Sequence, residues 1–263
     1  DGQGVWTDGV VGLGHARLAV IDLSDSASQP MTDVGGAVHI SYNGEIYNYK
    51  ELRRELIEFG HEFHTASDTE VIIEGYKKWG TGVLERLRGM FALVLWDAKV
   101  RKFIVARDRL GQKPLYYRQG DGILLIASEI KGLLAWPGVD RTPNLSAINQ
   151  YLTFQYVPTP NTAFNGIHML PPATAMIVDA GGQTDMFRYW SLPHPEAARI
   201  RPEDGLKEEL RHRLDEAVKL RLISDVPVGA FLSGGVDSAS VVASMAKASG
   251  SPVKTFTIGF DEP

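Results

Sequence analysis

The hexapeptide Ser233-Gly234-Gly235-Val236-Asp237-Ser238 carries the residue types of an anion site. It joins an apolar run, Val226 to Leu232, to a helix-forming run, Ser238 to Ala248. Paired glycines there let the backbone approach an anion at a helix N-terminus, where unpaired N–H groups and the positive dipole end converge. The hydroxyls of Ser233 and Ser238 add donors, and Asp237 is placed to serve the Mg²⁺ that accompanies a nucleotide triphosphate. No Gly-Lys-[Ser/Thr] follows, so this is not a Walker A loop; without that lysine it suits a nucleotide cut to AMP and pyrophosphate. A glycine-rich connection without chemical role is the competing reading. The second apolar run, Val253 to Phe260, weighs against it by completing a βαβ unit.

A second group lies in the first half of the chain. Asn43-Gly44-Glu45 follows the expected strand Ala37 to Tyr42. An Asn amide beside a glycine N–H offers two donors to one developing negative charge, the requirement of an oxyanion hole. Asn-Gly is also the commonest two-residue hairpin turn, and that reading stands beside the catalytic one. Arg17, Glu45 and Asp68 are ordinary taken singly: a strand arginine usually faces solvent, and Asp68 can be a helix N-cap.

These residues need a scaffold, and the pattern predicts one. Strands are expected over 10–13, 16–23 and 37–42, then a helix over 48–59 with Leu52, Leu56 and Phe59 at helical spacing. Ser67-Asp68-Thr69-Glu70 has the form of a capping box opening a second helix that runs to Trp79. Short β-rich runs at 90–97, 103–107, 114–118 and 123–128 read as an antiparallel meander. Helices near 130–135 and 145–154 and strands at 173–178 and 186–190 complete a layered α+β pattern. Pro193, Pro195 and Pro202 then bracket a polar connector, after which Leu206, Leu210, Leu214 and Val218 mark an amphipathic helix leading into the βαβ unit. A domain boundary is therefore expected at 191–204. The second domain reads as unfinished, because two strands and two helices cannot cover both faces of a parallel sheet.

Composition narrows the function classes. The 263 residues are 44% apolar and 22% charged with a net charge of −5, which is ordinary for a soluble protein and gives no basic footprint for nucleic acid. Apolar stretches such as 90–96 are too short to span a bilayer, and no signal peptide opens the sequence, which favours the cytoplasm. There is no cysteine, so a disulfide, a thiolate metal site and a cysteine nucleophile are all excluded for these residues. Of the seven histidines only His61 and His64 are close, and a turn and strand edge explains them better than a metal.

The combination in order is what carries information: Gly14-His15-Ala16-Arg17-Leu18, Tyr42-Asn43-Gly44-Glu45-Ile46-Tyr47-Asn48, Ser67-Asp68-Thr69-Glu70, Ala106 to Tyr117, and the Ser233 to Ser238 loop. Together they closely resemble the glutamine-hydrolysing asparagine synthetase family over nearly the whole chain. The resemblance implies a class II glutaminase domain over 1–190, of the α+β N-terminal-nucleophile type with an αββα sandwich. A linker over 191–204 and, over 205–263, the start of an α/β parallel-sheet ATP-pyrophosphatase domain would follow. It further implies that Arg17 pairs with the α-carboxylate of glutamine, that Asp68 holds its α-ammonium and that Glu45 helps to seat it. Asn43 and the Gly44 N–H would form the oxyanion hole, with Val20 and Ile21 lining the pocket through their backbone. In the second half, Leu232 and Ile258 would contact adenosine, with Ser233, Gly234, Gly235, Val236, Asp237 and Ser238 around the pyrophosphate.

The resemblance also shows a departure. In that family the nucleophile is an N-terminal cysteine whose own amino group is the base. This chain begins Asp1-Gly2-Gln3-Gly4, similar to a segment some tens of residues into the family's glutaminase domain, so a chain lacking its first strand and helix is expected. It would be inactive alone. The implied reaction hydrolyses glutamine, adenylates aspartate with ATP and Mg²⁺ and amidates the adenylate, with no organic prosthetic group. The partners are then small molecules rather than nucleic acid or membrane, and a homodimer is an allowed assembly. Relatives with another acyl acceptor, in cell-surface polysaccharide or β-lactam systems, and a non-catalytic glutamine-binding protein are the alternatives.

Overall fold

The computed structural model describes residues 2–193, 202–250 and 252–259, which fall into two compact units. The first holds residues 2–18 and 24–192; the second holds 19–23 and the described residues from Pro193 onward. Asp1, the middle of the expected linker and the expected strand end at Phe260 lie outside the described residues.

The first unit opens with an antiparallel pair, β1 (Gly2–Thr7) and β2 (Gly12–Arg17). The strand expected over 16–23 thus ends at Arg17. Residues 19–23 leave the first unit altogether, which a local apolar pattern cannot reveal. After β3 (Met31–Thr32) comes β4 (Val38–Ile46), which runs four residues past the expected end at Tyr42. Asn43 and Gly44 are therefore not a hairpin turn: they pair with Ala92 and Phe91 of β5 (Gly89–Asp97). Long-range pairing overrides the local turn preference of Asn-Gly.

Between these strands lie α1 (Tyr49–Glu58), α2 (Asp68–Trp79) and the short α3 (Val83–Arg86). Ser67 caps α2 as expected, accepting from the Thr69 N–H at 3.1 Å. The capping box does not close: Glu70 instead accepts from the His64 and Thr65 N–H groups, both at 2.8 Å, and so ties down the loop before the helix. His61 and His64 sit in that loop rather than on a strand edge, and His61 Nδ1 is 2.6 Å from Glu74 Oε2. Among the described residues no cluster suited to a metal ion is present.

The expected meander splits between two sheets. Strand β6 (Lys102–Arg107) pairs with β5 and with β10 (Thr174–Asp179), itself paired with β11 (Thr184–Arg188). This makes a six-stranded sheet in the order β11-β10-β6-β5-β4-β3. Strands β7 (Tyr116–Gly120) and β8 (Ile123–Ala127) form a separate sheet with β9 (His168–Met169). Helix α4 (Ile130–Leu134) follows β8, and α5 (Leu145–Phe154) follows α4.

Alternation of side chains explains how these layers stack. On one face of the large sheet, buried Ile40, Tyr42, Phe91, Leu93 and Leu95 lie on the side of α2, whose first residue receives the Tyr42 hydroxyl. On the other face Ala92, Val105, Met176 and Val178 pack with Tyr117, Leu124 and Ile126 of the smaller sheet. The outer face of that sheet carries Tyr116, Leu125 and Ala127, which pack with Leu133 and Ile130 of α4. The order is helix, sheet, sheet, helix, the αββα sandwich that the resemblance implies.

The stretch from Arg107 to Lys113 explains part of the fourth motif structurally. Asp108 is fully buried and accepts from the N–H groups of Phe91, Leu110, Gln112 and Lys113. Arg107 donates to the carbonyls of Lys113, Leu170 and Gly111. Leaving several such buried groups unsatisfied, at about 1–3 kcal/mol each, would consume much of a domain's stability of about 5–15 kcal/mol. Arg107 and Asp108 thus have a sufficient reason without touching any ligand.

In the second unit, α6 (Glu203–Arg221) precedes a βαβ unit of β12 (Gly229–Phe231), α7 (Val236–Ala248) and β13 (Lys254–Phe256). The two strands pair in parallel, Phe231 opposite Phe256, and are shorter than the apolar runs suggest. Helix α6 lays its C-terminal half on α7, where Val218 and Met245 are buried, whereas Leu210 is 68% exposed. Phe231 and Ile258 also remain 78% and 74% exposed, so the apolar residues of this unit are largely uncovered.

Candidate functional site

Strand β4 assembles the first site because it carries three of its residues in sequence and is hydrogen-bonded to the first residue of α2, the fourth. Asn43, Gly44 and Glu45 are half-buried at its C-terminal part, with Asn43 and Glu45 on the face away from α2. Asp68 opens α2, where a carboxylate is favoured by the helix dipole. Its Oδ2 accepts from the Tyr42 hydroxyl at 2.8 Å and the Ile46 N–H at 2.9 Å, so β4 and α2 hold each other in place. Tyr42 is in turn fixed through its backbone N–H, which donates to Gln29 Oε1 at 2.7 Å.

Gly44 has a reason that its position in the motif does not show. A β-carbon there would collide with the backbone carbonyl of Met90 and come within 2.8 Å of Phe91 Cα. The passage of β5 over it is by itself a sufficient reason for the residue to be small.

The electrostatics are those of two desolvated carboxylates. Burial pushes the Asp68 carboxyl above the ordinary aspartate value, against the hydrogen bonds from Ile46 and Tyr42 that favour its charged form. Burial raises the Glu45 carboxyl as well, reinforced by the negative charge of Asp68 and opposed by Lys113. Glu45 is thus near enough to feel the charge of Asp68, and both donors named above to Asp68 are neutral. A bound ammonium group would stabilise both.

A stability test follows from this arrangement. Because the folded-state pKa of Asp68 is raised, its contribution favours folding below the ordinary carboxylate range and is lost as pH rises through the raised value. Asp68→Asn keeps an oxygen for Tyr42 and Ile46 but removes that charge. Its melting temperature is expected to equal or exceed wild type at pH 7, with the gap closing toward pH 4. A gap that widens toward acid would contradict the desolvation argument.

Arg17 ends β2, which runs beside β4: the Ser41 hydroxyl donates to the Gly14 carbonyl and lies 3.1 Å from His15 Nδ1. The guanidinium reaches back to the Ser24 carbonyl at 3.1 Å. Val20 and Ile21 belong to the second unit, where the Val20 carbonyl accepts from the Asp225 N–H at 2.9 Å. The structure thus places Asn43, Gly44 and Glu45 on β4 with Asp68 bonded to that strand, and sets Arg17 on the adjoining strand, while Val20 and Ile21 count with the second unit. Tyr42, Gln29 and Lys113 complete the surroundings of the site. Tyr42 and Lys113 stand inside the quoted motifs, whereas no local signal marks Gln29.

In the second unit the loop after β12 has the expected shape. Leu232 is held by its N–H to the Phe256 carbonyl at 2.9 Å, and its own carbonyl accepts from the Thr257 hydroxyl at 2.7 Å. Leu232 and Ile258 thus stand beyond the carboxyl ends of two parallel strands, the place where open α/β sheets bind ligands. Gly234 takes φ 82°, the left-handed conformation that glycine adopts without strain. Helix α7 starts at Val236, two residues earlier than expected, which puts Asp237 in its first turn. The serines do more than line the loop: Ser238 Oγ accepts from the Ser233 N–H at 3.3 Å and donates to the Gly235 carbonyl at 3.1 Å. The two serine hydroxyls are 3.1 Å apart, so the loop is closed on itself and pre-shaped around its glycines.

Comparison with known proteins agrees with both halves. Residues 1–190 match the glutamine amidotransferase domain family and residues 209–263 the asparagine synthase family. An amidase, chry2, of Gibberella zeae is 40% identical over 92% of this chain and 36% of its own length. Asparagine synthetase [glutamine-hydrolyzing] 3 of Bacillus subtilis is 36% identical over 100% of this chain and 43% of its own length. The chain thus spans about two-fifths of the length of these curated relatives. Among solved structures, the glutamine phosphoribosylpyrophosphate amidotransferase of B. subtilis matches with a TM-score of 0.47 and 19% identity, covering 94% of this chain and 51% of its own.

Proposed function

The chain belongs to the glutamine amidotransferase domain family and continues into an asparagine synthase domain, and from that membership we propose that its full-length protein is a glutamine-dependent, ATP-consuming amidotransferase. Glutamine is read as binding with its α-ammonium between Asp68 and Glu45 and its α-carboxylate on Arg17. Asn43 and the Gly44 N–H then face the reacting amide. The observation that carries this reading is the pair of desolvated carboxylates at the junction of β4 and α2. A purely structural Asp68 would gain nothing from a second acid beside it.

The released ammonia is then consumed by an acyl-adenylate formed from ATP, with aspartate as the acceptor. Val20 and Ile21 assist the glutamine pocket through their backbone, Leu232 and Ile258 contact adenosine, and the Ser233 to Ser238 loop takes the pyrophosphate with Mg²⁺ held by Asp237. No organic prosthetic group enters the scheme. The domain limits are those of the sequence reading, a glutaminase over 1–190, a linker over 191–204 and the synthetase start over 205–263. A cytoplasmic enzyme that can form a homodimer is the setting we assign. No described helix is long and apolar enough to cross a membrane.

The reaction is tested by its products in the full-length protein. With glutamine, aspartate and ATP, AMP, pyrophosphate and asparagine should form in equal amounts. ADP and orthophosphate in their place would refute the adenylate and the use of this loop. Adenylate chemistry with another carboxylic acid in place of aspartate would keep the mechanism and change the acceptor. The amidase chry2 of G. zeae, similar along the same stretch, makes that second reading specific.

A further inference from the structure

On the face of β4 away from α2, Glu45 pairs across the ladder with Met90 and Asn43 with Ala92. Two anchors bring Lys113 over that face. Asp108 accepts from the Lys113 N–H at 2.9 Å and from the N–H of Phe91, the partner of Gly44, at 3.2 Å. Two residues further on, buried Leu115 packs in one cluster with Ala92. Arg107 also donates to the Lys113 carbonyl at 2.7 Å, so the backbone of Lys113 is held on both sides. The side chains stay disengaged: among the described residues the Lys113 ammonium forms no salt bridge and the Glu45 carboxylate accepts no hydrogen bond. Glu45 nevertheless feels the charge of Lys113, so the two groups are near each other without contact.

We propose that Lys113 is a further positioning residue of the glutaminase site, the fixed cation that balances the carboxylates of Glu45 and Asp68 and leaves them one net negative charge for one substrate ammonium. This role rests on the reading of Glu45 and Asp68 as the seat of the glutamine α-ammonium. Burial and the charge of Asp68 both favour the protonated form of Glu45, and Lys113 opposes them. Without that cation Glu45 would keep a proton where it should meet the ammonium. Tyr42, which donates to Asp68, stays protonated, because burial and the neighbouring carboxylate raise its hydroxyl well above the ordinary value. Among the described residues, Asp68 on α2 and Lys113 on the loop after β6 are thus the charged groups that set the state of Glu45. A cation beside a seat for a cation has two opposite effects. It repels the ammonium at every pH, and it keeps Glu45 charged where acid would neutralise it. Only the second effect varies with pH, which gives the loss of Lys113 a signature that a structural role lacks.

The test uses the full-length protein with Lys113→Gln, Lys113→Arg and Glu45→Gln, reading by calorimetry the Kd of L-glutamate, the product of glutamine hydrolysis, from about pH 5 to about pH 7.5. Each Kd is taken relative to wild type at the same pH, so the titration of the ligand itself cancels. Lys113→Gln keeps the backbone bonds that anchor the residue. It is expected to weaken binding by about three- to tenfold at the acid end, the scale of one opposite charge that moves a carboxylate by about one pH unit. The ratio should close to one, or invert, at the upper end. Lys113→Arg keeps the charge and should follow wild type within about twofold throughout. A ratio for Lys113→Gln that does not change with pH, whether one or larger, would overturn the proposal, and so would a Lys113→Arg variant that behaves like Lys113→Gln. Glu45→Gln separates the two levels of the argument. If it weakens binding while the Lys113→Gln ratio stays constant, only the role of Lys113 falls; if it binds like wild type, the ammonium seat at Glu45 falls and the role of Lys113 with it.

Discussion

Replacing Asp237 by alanine in the full-length protein is expected to lower product formation by about 10³-fold with either glutamine or ammonium as nitrogen source, while glutamine hydrolysis continues. The magnitude follows from metal assistance to a leaving pyrophosphate, several kcal/mol at about 1.4 kcal/mol per decade of rate. The structure makes the experiment clean. Asp237 is exposed in the first turn of α7, so its removal opens no cavity in the core. The shape of the loop is kept by Ser233 and Ser238 through bonds that do not involve Asp237. Asp237→Asn should fail almost as completely, because an amide preserves size and polarity but not the charge that a magnesium ion needs. Normal synthesis in either variant, followed by AMP and pyrophosphate release, would remove Asp237 from the mechanism.

Asn43→Ala is expected to divide the two activities in the opposite sense. Glutamine hydrolysis should fall by about 10² to 10³, the usual loss for one oxyanion donor, while synthesis from added ammonium is retained. Here the position within the fold decides between two readings. Had Asn43 and Gly44 formed a hairpin turn, alanine would disturb the chain reversal and impair both activities together. They instead lie in the middle of a nine-residue strand, Asn43 opposite Ala92, where the ladder is made by backbone groups that alanine also possesses. The half-buried side chain can then be truncated with the sheet intact. A loss of equal size in both assays would show that Asn43 supports the fold and not the oxyanion.

Much of the scaffold was legible locally. Helices α1, α2 and α5 lie within a residue or two of the limits read from apolar spacing and the Ser67 cap, because helix periodicity and N-capping involve only neighbours in the chain. The βαβ unit around Ser233 to Ser238 was legible for the same reason: paired glycines between an apolar run and a helix have few structural uses. The motifs of the first half were legible as a set, although Arg107 and Asp108 within them prove to hold backbone together.

Which strands pair was not legible, because pairing is decided by partners tens of residues away. Strands β6 and β7 are neighbours in sequence and belong to different sheets, β6 having taken β10 as its second partner. The same non-local choice carried β4 through Asn43 and Gly44 and left glycine as the only residue that fits beneath Met90. It also brought Tyr42 under Asp68, 26 residues away, and Asp225 onto Asp22, 203 residues away. The sequence by itself determined which residues could bind an amino acid or a phosphate, since that rests on side-chain chemistry and local backbone freedom. Only the tertiary structure decided that Asp68 is desolvated beside Glu45 and that residues 19–23 are held by the second unit, because burial and long-range hydrogen bonds exist only once distant segments have packed.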